Sequence, residues 1–231
     1  MTGEIEARHW DKEPHSRLLR DYCDVLEKEL DHRWRVLAWS QKSTISRNGD
    51  VRQQLAVTIA AACDRMTFVS FTNRVNWDWP EQYRERVTVD VRTPETNGIG
   101  GTRLISTDHW IRIGTVKTFV HLESPLTRGE QFTFVVDVFW PEMCLPFVRG
   151  HEPDVFLVSF GDTADLINYT VVLPAGFTAK LDHVGLDPRQ DSYALVVRSG
   201  VEGEVEVSLT VRDVPAYRKV GLRMDRPPLS A

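Results

Sequence analysis

Histidine and carboxylate side chains come close together in the sequence between residues 151 and 165. The segment His-Glu-Pro-Asp at 151–154 is followed by Asp162 and Asp165. One imidazole with several carboxylates is a donor set that a metal ion or a general acid can use. Pro153 interrupts the segment, however, and a single histidine with scattered acids is common on surface loops. We therefore expect ordinary surface residues here and disfavour a metal site.

Other acid–histidine pairs occur without a nucleophile motif. His121 and Glu123 lie two residues apart, which puts them on one face of a strand, and a surface hydrogen bond is the favoured interpretation over a base–carboxylate pair. The adjacent pairs at 108–109 and 182–183 point to opposite sides of an extended chain. No Gly-x-Ser-x-Gly turn accompanies any of them. The sequence therefore identifies no catalytic residue and leans against an enzyme.

Cysteine and glycine spacing gives no sign of a cofactor. Cys23, Cys63 and Cys144 form neither a Cys-x-x-Cys pair nor a zinc pattern, so we expect small buried side chains and no disulfide. The segment TNGIGG at 96–101 matches neither the phosphate-binding loop nor the dinucleotide fingerprint, which favours a connection between strands. No cofactor is predicted.

Aromatic residues and arginines are concentrated in one short segment, residues 76–86. The chain has 7 tryptophans, and two of them flank an aspartate in this segment. Tryptophan, tyrosine and arginine are the residue types that dominate binding hot spots. The alternative is that the two tryptophans close one end of the fold and are buried. The candidate residues for binding a ligand or partner are Trp77, Trp79, Tyr83, Arg84 and Arg86.

The charge balance argues against nucleic acid as a partner. The chain of 231 residues carries 28 Lys and Arg against 33 Asp and Glu, a formal net charge of -5, with no basic run. No stretch approaches the roughly 18 apolar residues that a membrane span needs. The first 17 residues have no apolar core of the kind a secretion signal has. We expect a soluble cytoplasmic protein that does not bind membranes.

The elements that would position these residues begin with one helix. Leucines and a tyrosine recur at steps of three and four over 14–32, which is typical of an amphipathic helix. The favoured interpretation packs this helix on the rest of the protein, and the alternative is docking to a partner. We predict an N-terminal arm and helix over 1–33, a β-rich body over 34–213 and a loose tail over 214–231.

Within the body the hydrophobic period changes from 3.6 to 2. Val205, Val207, Leu209 and Val211 alternate with polar residues, which is typical of a strand with one solvated face. Asn48-Gly49 between two strand-like runs predicts a tight hairpin turn of type I′. In all, about 11 strand-like runs follow the helix and no second helix separates them, so a parallel sheet is disfavoured. The predicted fold class is all-β, a mainly antiparallel β-sandwich, either as one body or as two halves that divide near 94–101.

Two segments of the sequence resemble those of a known family. FVHLESPLTRGEQFTFVVDVFWP at 119–141 reads as strand, turn and strand, and RWRVLAWSQKSTISRNGDVRQQLAVTI at 33–59 reads as a long hairpin. Together, over about residues 33–141, they resemble β-rich sensor or accessory modules of actinobacterial proteins of obscure function. The resemblance implies a sensor or interaction unit, with no catalytic residues to carry over. The chain differs because one N-terminal helix does not make the helix-turn-helix that precedes some of these modules.

Two functions therefore stay open. The first is a non-enzymatic binding or interaction module that recognises a protein partner or a small-molecule ligand through the aromatic segment. The second is a small-molecule enzyme, such as a cyclase or isomerase of specialised metabolism, that works in a β-rich cavity without a recognisable motif. The number of subunits does not follow from the sequence.

Overall fold

β-Strands dominate the computed structural model, which describes residues 34–95, 101–200 and 202–226. The strands among the described residues are β1 (Trp34–Ile45), β2 (Val51–Ala61), β3 (Met66–Arg74), β4 (Thr88–Arg92), β5 (Ser106–Arg112), β6 (Thr115–Leu126), β7 (Gln131–Trp140), β8 (Asp154–Val158), β9 (Ala164–Leu173), β10 (Lys180–Val184), β11 (Tyr193–Ser199), β12 (Val205–Val214) and β13 (Val220–Asp225). The helices in this part of the chain are a 3₁₀ helix, Glu81–Arg86, and the single turn α1, Leu145–Val148. Neither is long and apolar enough to cross a bilayer. The helix expected at 14–32 lies outside the described residues.

The described strands form three sheets. The large sheet has the order β11-β12-β9-β1-β2-β7-β4. The first small sheet has the order β3-β6-β5, and the second small sheet has the order β10-β13-β8. Pairing is antiparallel except between β1 and β9, which run parallel in the middle of the large sheet. The prediction of a mainly antiparallel arrangement is therefore confirmed, with this one parallel pair as the exception.

Both small sheets pack on the same face of the large sheet. Phe71 of β3 stacks on Phe134 of β7 at 6.4 Å between ring centroids, and Phe156 of β8 meets Tyr169 of β9 at 6.0 Å. The inward residues of the central strands are buried because every second side chain points to this face. This arrangement is the predicted all-β sandwich-like fold. Core residues on both sides of 94–101, such as Val57 and Val207, belong to one hydrophobic cluster, as in one sandwich rather than two in tandem.

The hairpin between β1 and β2 is closed by a turn at the predicted place but of a different type. The Ser46 N–H donates to the Asp50 carbonyl at 2.9 Å, and the Gly49 N–H donates to the Ser46 carbonyl at 3.0 Å. Gly49 has a φ of 86°, whereas Asn48 does not have a positive φ. A type I′ turn needs positive φ at both residues, so the predicted turn type is wrong. The Gly49 carbonyl accepts the Cys144 N–H at 2.9 Å, which ties this turn to the segment before α1.

Two further expectations need correction. The sequence WIRIGTVKTFVHL at 110–122 predicts one long strand, but a turn at Ile113 and Gly114, where Gly114 has a φ of 70°, folds the chain back from β5 to β6. The tail expected to be loose from residue 214 contains β13, the central strand of the second small sheet. Leu222 and Met224 of β13 are fully buried, which fixes this segment in the core.

Candidate functional site

The aromatic segment 76–86 is fastened to the chain that follows β7. The indole Nε1–H of Trp77 donates to the Met143 carbonyl, and that of Trp79 donates to the Pro141 carbonyl, both at 2.8 Å. Trp79 is only 2% exposed, so its ring packs inside the protein. For Trp79 this geometry agrees with the alternative in which the tryptophan is buried.

Trp79 lies at the centre of an aromatic cluster. Its ring is parallel to that of Trp110, with centroids 6.1 Å apart, and perpendicular to that of Trp140 at 5.4 Å. Tyr83 approaches it at 5.8 Å. Offset and edge-to-face contacts of this kind stabilise beyond the area that they bury. The cluster therefore holds segment 76–86 in one conformation.

The remaining predicted residues cover the outer side of this cluster. The Arg84 guanidinium lies 5.0 Å from the Trp110 ring centroid, and that of Arg86 lies 5.4 Å from the Tyr83 ring. The Tyr83 hydroxyl donates to Glu142 Oε2 at 2.8 Å, and this hydrogen bond raises the pKa of Tyr83. A small hollow of about 220 Å³ lies beside Arg84 and Trp110. The structure thus brings all five predicted residues into one neighbourhood, with Arg84 and Arg86 exposed and Trp79 buried.

A larger groove, of about 510 Å³, lies between the two small sheets. Residues 70–74 of β3 line one wall, and residues 155–161, which include most of β8, line the other. The floor is the inward face of β1, β2 and β9. Of segment 76–86 only Asn76 lines this groove. The five predicted residues lie outside it.

The floor of the groove is polar where a sandwich core is normally apolar. Trp39 Nε1 donates to Gln41 Oε1 at 3.1 Å, and Gln41 Nε2 donates to the Tyr169 hydroxyl at 3.0 Å. Burial raises the pKa of Tyr169 above its usual value, so this hydroxyl stays protonated. The three side chains therefore form a buried hydrogen-bonded chain across β1 and β9.

Two polar groups in the groove have no protein partner in the described part of the chain. Gln53, which is 4% exposed, has its Oε1 atom buried without a hydrogen bond, and Asn73 has its Nδ2 atom buried in the same condition. Both residues line the groove, but these two atoms have almost no accessible surface and are covered by neighbouring protein atoms. A buried polar atom without a partner costs about 1–3 kcal/mol.

The carboxyl group of Asp154 lies outside the groove lining but is bonded to Asn76 and Val155, which line it. Asp154 Oδ1 accepts hydrogen bonds from the Val155 N–H at 2.8 Å and from Asn76 Nδ2 at 3.3 Å. Burial raises the pKa of Asp154, and hydrogen bonds from Cys144, Asn76 and Val155 act in the opposite direction. Burial and then the neighbouring Asp154 raise the pKa of Cys144 well above its usual value, so its thiol is protonated and weakly nucleophilic.

The charged residues that line the groove are all cations. They are Arg74, Lys117 and Lys219. This contrasts with the formal net charge of -5 for the chain. Among the described residues, no group of three or more histidine, cysteine or acidic side chains is placed to hold a metal ion. The groove is therefore suited to a ligand with negative charge and hydrogen-bonding groups.

Sequence reasoning missed this groove, although one signal was available. Gln53 is in phase with Val51, Leu55 and Val57 along β2, so alternation already assigns it to the buried face. A glutamine at an inward position among valines and leucines is unusual because its amide must find partners. The inward glutamines of β1 and β2 are therefore the sequence feature that indicated the site.

Comparisons with known proteins extend only to the fold. No family model matches this sequence, and neither does any curated protein. The structure is similar to that of a candidate protease from Parabacteroides distasonis, with a TM-score of 0.54 and 11% identity over 85% of this chain and 41% of that one. It is also similar to an M1 zinc metallopeptidase from Deinococcus radiodurans, with a TM-score of 0.48 and 17% identity over 83% of this chain and 42% of that one. This chain thus spans less than half the length of each.

At such identities the likeness to the Parabacteroides distasonis protein concerns the fold alone. It supports the sandwich-like architecture over most of the chain. The resemblance to actinobacterial sensor modules is not addressed by these comparisons and stays a prediction.

Proposed function

We propose that this protein is a non-enzymatic binding module and that the groove between β3 and β8 holds its ligand. The observation that carries the proposal is a groove of about 510 Å³ whose floor is the hydrogen-bonded chain of Trp39, Gln41 and Tyr169. Binding sites are commonly concave, with mostly apolar walls and a few convergent polar groups.

The walls supply the apolar part of such a site. Phe71 and Phe156 line opposite sides of the groove, and Trp34 and Phe160 line it as well. Trp39 contacts Phe160 at 5.1 Å between ring centroids, so the aromatic wall continues into the polar floor. Aromatic walls provide contact area, and the floor fixes the orientation of whatever lies on it.

Segment 76–86 fits this proposal as a second contact surface. Trp79 packs inside the protein under this segment. The indole N–H of Trp77 donates a hydrogen bond to the carbonyl of Met143, a residue that also lines the groove. Arg84, Arg86 and Tyr83 would then offer charge and an aromatic edge to a protein partner outside the groove.

The proposal is tested by filling the groove. Thr72 is exposed on β3 and lines the groove, so Thr72→Trp would occupy it. The matched control is Thr88→Trp on β4, an exposed threonine outside the groove lining. Native mass spectrometry after incubation with a cell extract should show a bound species on the wild type and on Thr88→Trp but not on Thr72→Trp. Equal retention by both variants would contradict the proposal.

One observation favours an enzyme as the second candidate. Burial raises the pKa of Asp154, and Asn76 and Val155, which bond to it, line the groove. A carboxylic acid with a raised pKa is suited to proton transfer in a cyclase or isomerase. If this is the function, Asp154→Asn should retain the ligand of the groove and abolish its conversion. Release of an unchanged ligand from the wild type would rule this candidate out.

A further inference from the structure

The groove is bordered by the edges of two strands and not by their faces. β3 ends the first small sheet, and β8 ends the second small sheet. Consecutive residues line each wall, 70–74 on one side and 155–161 on the other. Successive side chains of a strand point to opposite faces, so an unbroken run along a wall means that the strand edge meets the groove.

The backbone of β3 presents open hydrogen-bonding groups to this groove. The Val75 N–H donates to the Gly114 carbonyl at 2.8 Å, and Asn73 pairs with Val116 in the same register. Inward and outward backbone groups alternate along an antiparallel strand. The N–H and carbonyl groups of Ser70, Thr72 and Arg74 therefore point away from β6, toward the open edge.

The opposite wall, along β8, already accepts one hydrogen bond of the kind that an added strand would donate. The Val155 carbonyl accepts a hydrogen bond from Asn76 Nδ2 at 2.6 Å. This side-chain amide takes the place that the backbone N–H of a neighbouring strand would occupy. By the same alternation Leu157, which is 42% exposed, presents its backbone on this side. The amide of Asn76 marks one end of a place for an added strand.

Charge indicates which kind of strand would fit. Arg74 and Lys219 line the groove and have no ion pair among the described residues, and Lys117 is the third cation. No acidic side chain lines the groove in the described part of the chain. A carboxylate-bearing segment would gain from this field, whereas a basic segment would be repelled.

We propose that the occupant of the groove is an extended acidic peptide that adds itself as a strand between β3 and β8. This inference rests on the proposed binding function of the groove. Five residues of β3 along one wall correspond to a peptide of about five residues at roughly 3.3 Å each. Backbone hydrogen bonds to Ser70, Thr72 and Arg74 hold the peptide, as in other cases of strand addition.

A display library of random ten-residue peptides tests this inference. The library is selected on the wild-type chain, and the selected peptides are then tested for binding to Thr72→Trp. The selected peptides should be enriched in Asp and Glu, and binding should weaken as the ionic strength rises. A selected peptide is then N-methylated at one backbone nitrogen at a time. Methylation at each central nitrogen should weaken binding by about tenfold or more, because in a strand between two others each N–H reaches either β3 or β8.

Protein variants complete the experiment. Thr72→Pro removes an outward N–H without touching the ladder to β6, so the melting temperature should be kept while peptide binding falls. Arg74→Glu should weaken binding by about tenfold or more, whereas its charge-matched control Arg198→Glu, at an exposed site on β11, should not. A methylation scan without loss of binding at the central nitrogens, or peptides that bind Thr72→Trp as well as the wild type, would overturn the inference.

The failure of the inference is distinguishable from the failure of the proposed function. If Thr72→Trp removes a non-peptide species in native mass spectrometry and no peptide is selected, the groove binds ligands and the peptide inference is wrong. If Thr72→Trp changes neither the native mass spectrum nor the binding of peptides, the proposed function and the peptide inference are both wrong.

Discussion

The indole rings of Trp79 and Trp110 lie within 7° of parallel, with centroids 6.1 Å apart, although one belongs to a loop and the other to β5. The outer side of Trp110 is covered by the Arg84 guanidinium, and Trp140 meets both indoles edge-on. This stack joins segment 76–86 to the first small sheet. The conformation of the segment therefore depends on packing inside the protein.

Trp79→Ala should destabilise the fold. The change removes a buried indole and its hydrogen bond to the Pro141 carbonyl, and large aromatic truncations in cores cost about 3–5 kcal/mol. Arg84→Ala is the matched control, since Arg84 is exposed and contacts the same stack from outside. Urea unfolding of both variants measures the difference. A Trp79→Ala chain as stable as the wild type would instead point to a surface role for this tryptophan.

Gly49→Ala should lower the stability of the protein more than the same substitution at another glycine with a positive φ. A Cβ at Gly49 would lie 2.7 Å from Leu145 Cα, and the φ of 86° is already unfavourable for alanine. Gly129 is the control, because its φ is 85° and nothing lies within 4 Å of its added Cβ. Gly129→Ala should cost about 1 kcal/mol, and Gly49→Ala should cost more. Equal losses of stability for the two variants in thermal unfolding would show that the backbone at Leu145 moves away from the added Cβ at little cost.

Tyr169→Phe should change how stability depends on alkaline pH. Burial raises the pKa of Tyr169 above the usual 10.0, so the unfolded chain releases this proton first. The contribution of Tyr169 to stability is complete below the unfolded pKa and is lost as the pH rises above it. The free energy of unfolding should fall more for the wild type than for Tyr169→Phe above about pH 10. Parallel curves for the two proteins would contradict a protonated, buried hydroxyl.

Asp154→Asn should reveal a titration of opposite sense to that of an ordinary ion-paired aspartate. Burial raises the pKa of Asp154, so the folded chain takes up this proton before the unfolded chain does. The stability of the wild type relative to Asp154→Asn should therefore increase as the pH falls from 7 toward about 4.

Asp191→Asn provides the control of opposite sign. The Arg218 guanidinium binds Asp191 at 2.6 Å and lowers the pKa of that carboxyl. The wild type should lose stability relative to Asp191→Asn as the pH falls through the same range. Denaturant unfolding at several pH values measures both. The same sign for both variants would show that the burial of Asp154 does not govern its titration.

The strands were largely predictable because alternation records which side of a strand is buried. β12 illustrates this, since Val207, Leu209 and Val211 are the buried residues of an alternating run. The position of the first hairpin was predictable for a similar reason, because Asn-Gly is a local signal. Its turn type was not, since the Cys144 N–H that binds the Gly49 carbonyl comes from a distant part of the chain.

The groove was not predictable because its parts are brought together by sheet packing. Gln41 and Tyr169 meet only because β1 pairs with β9, and Gln53 and Asn73 share a cavity only because β3 lies over β2. Local patterns assign Gln53 to the buried face but do not say which residues lie opposite it. The aromatic segment is recognisable in the sequence by its composition. Composition does not distinguish a tryptophan that is buried from one that binds a partner.

The parallel pairing of β1 with β9 sets an order of events during synthesis. Val36 pairs with Ala164, so a ribosome must deliver more than half of the described chain before β1 acquires this neighbour. Until then the hairpin of β1 and β2 carries an open edge along twelve residues, Trp34–Ile45. Pairing between strands so distant in sequence is slow, and unpaired edges invite aggregation meanwhile. The nascent chain is thus most exposed to misassembly in the interval before β9 emerges.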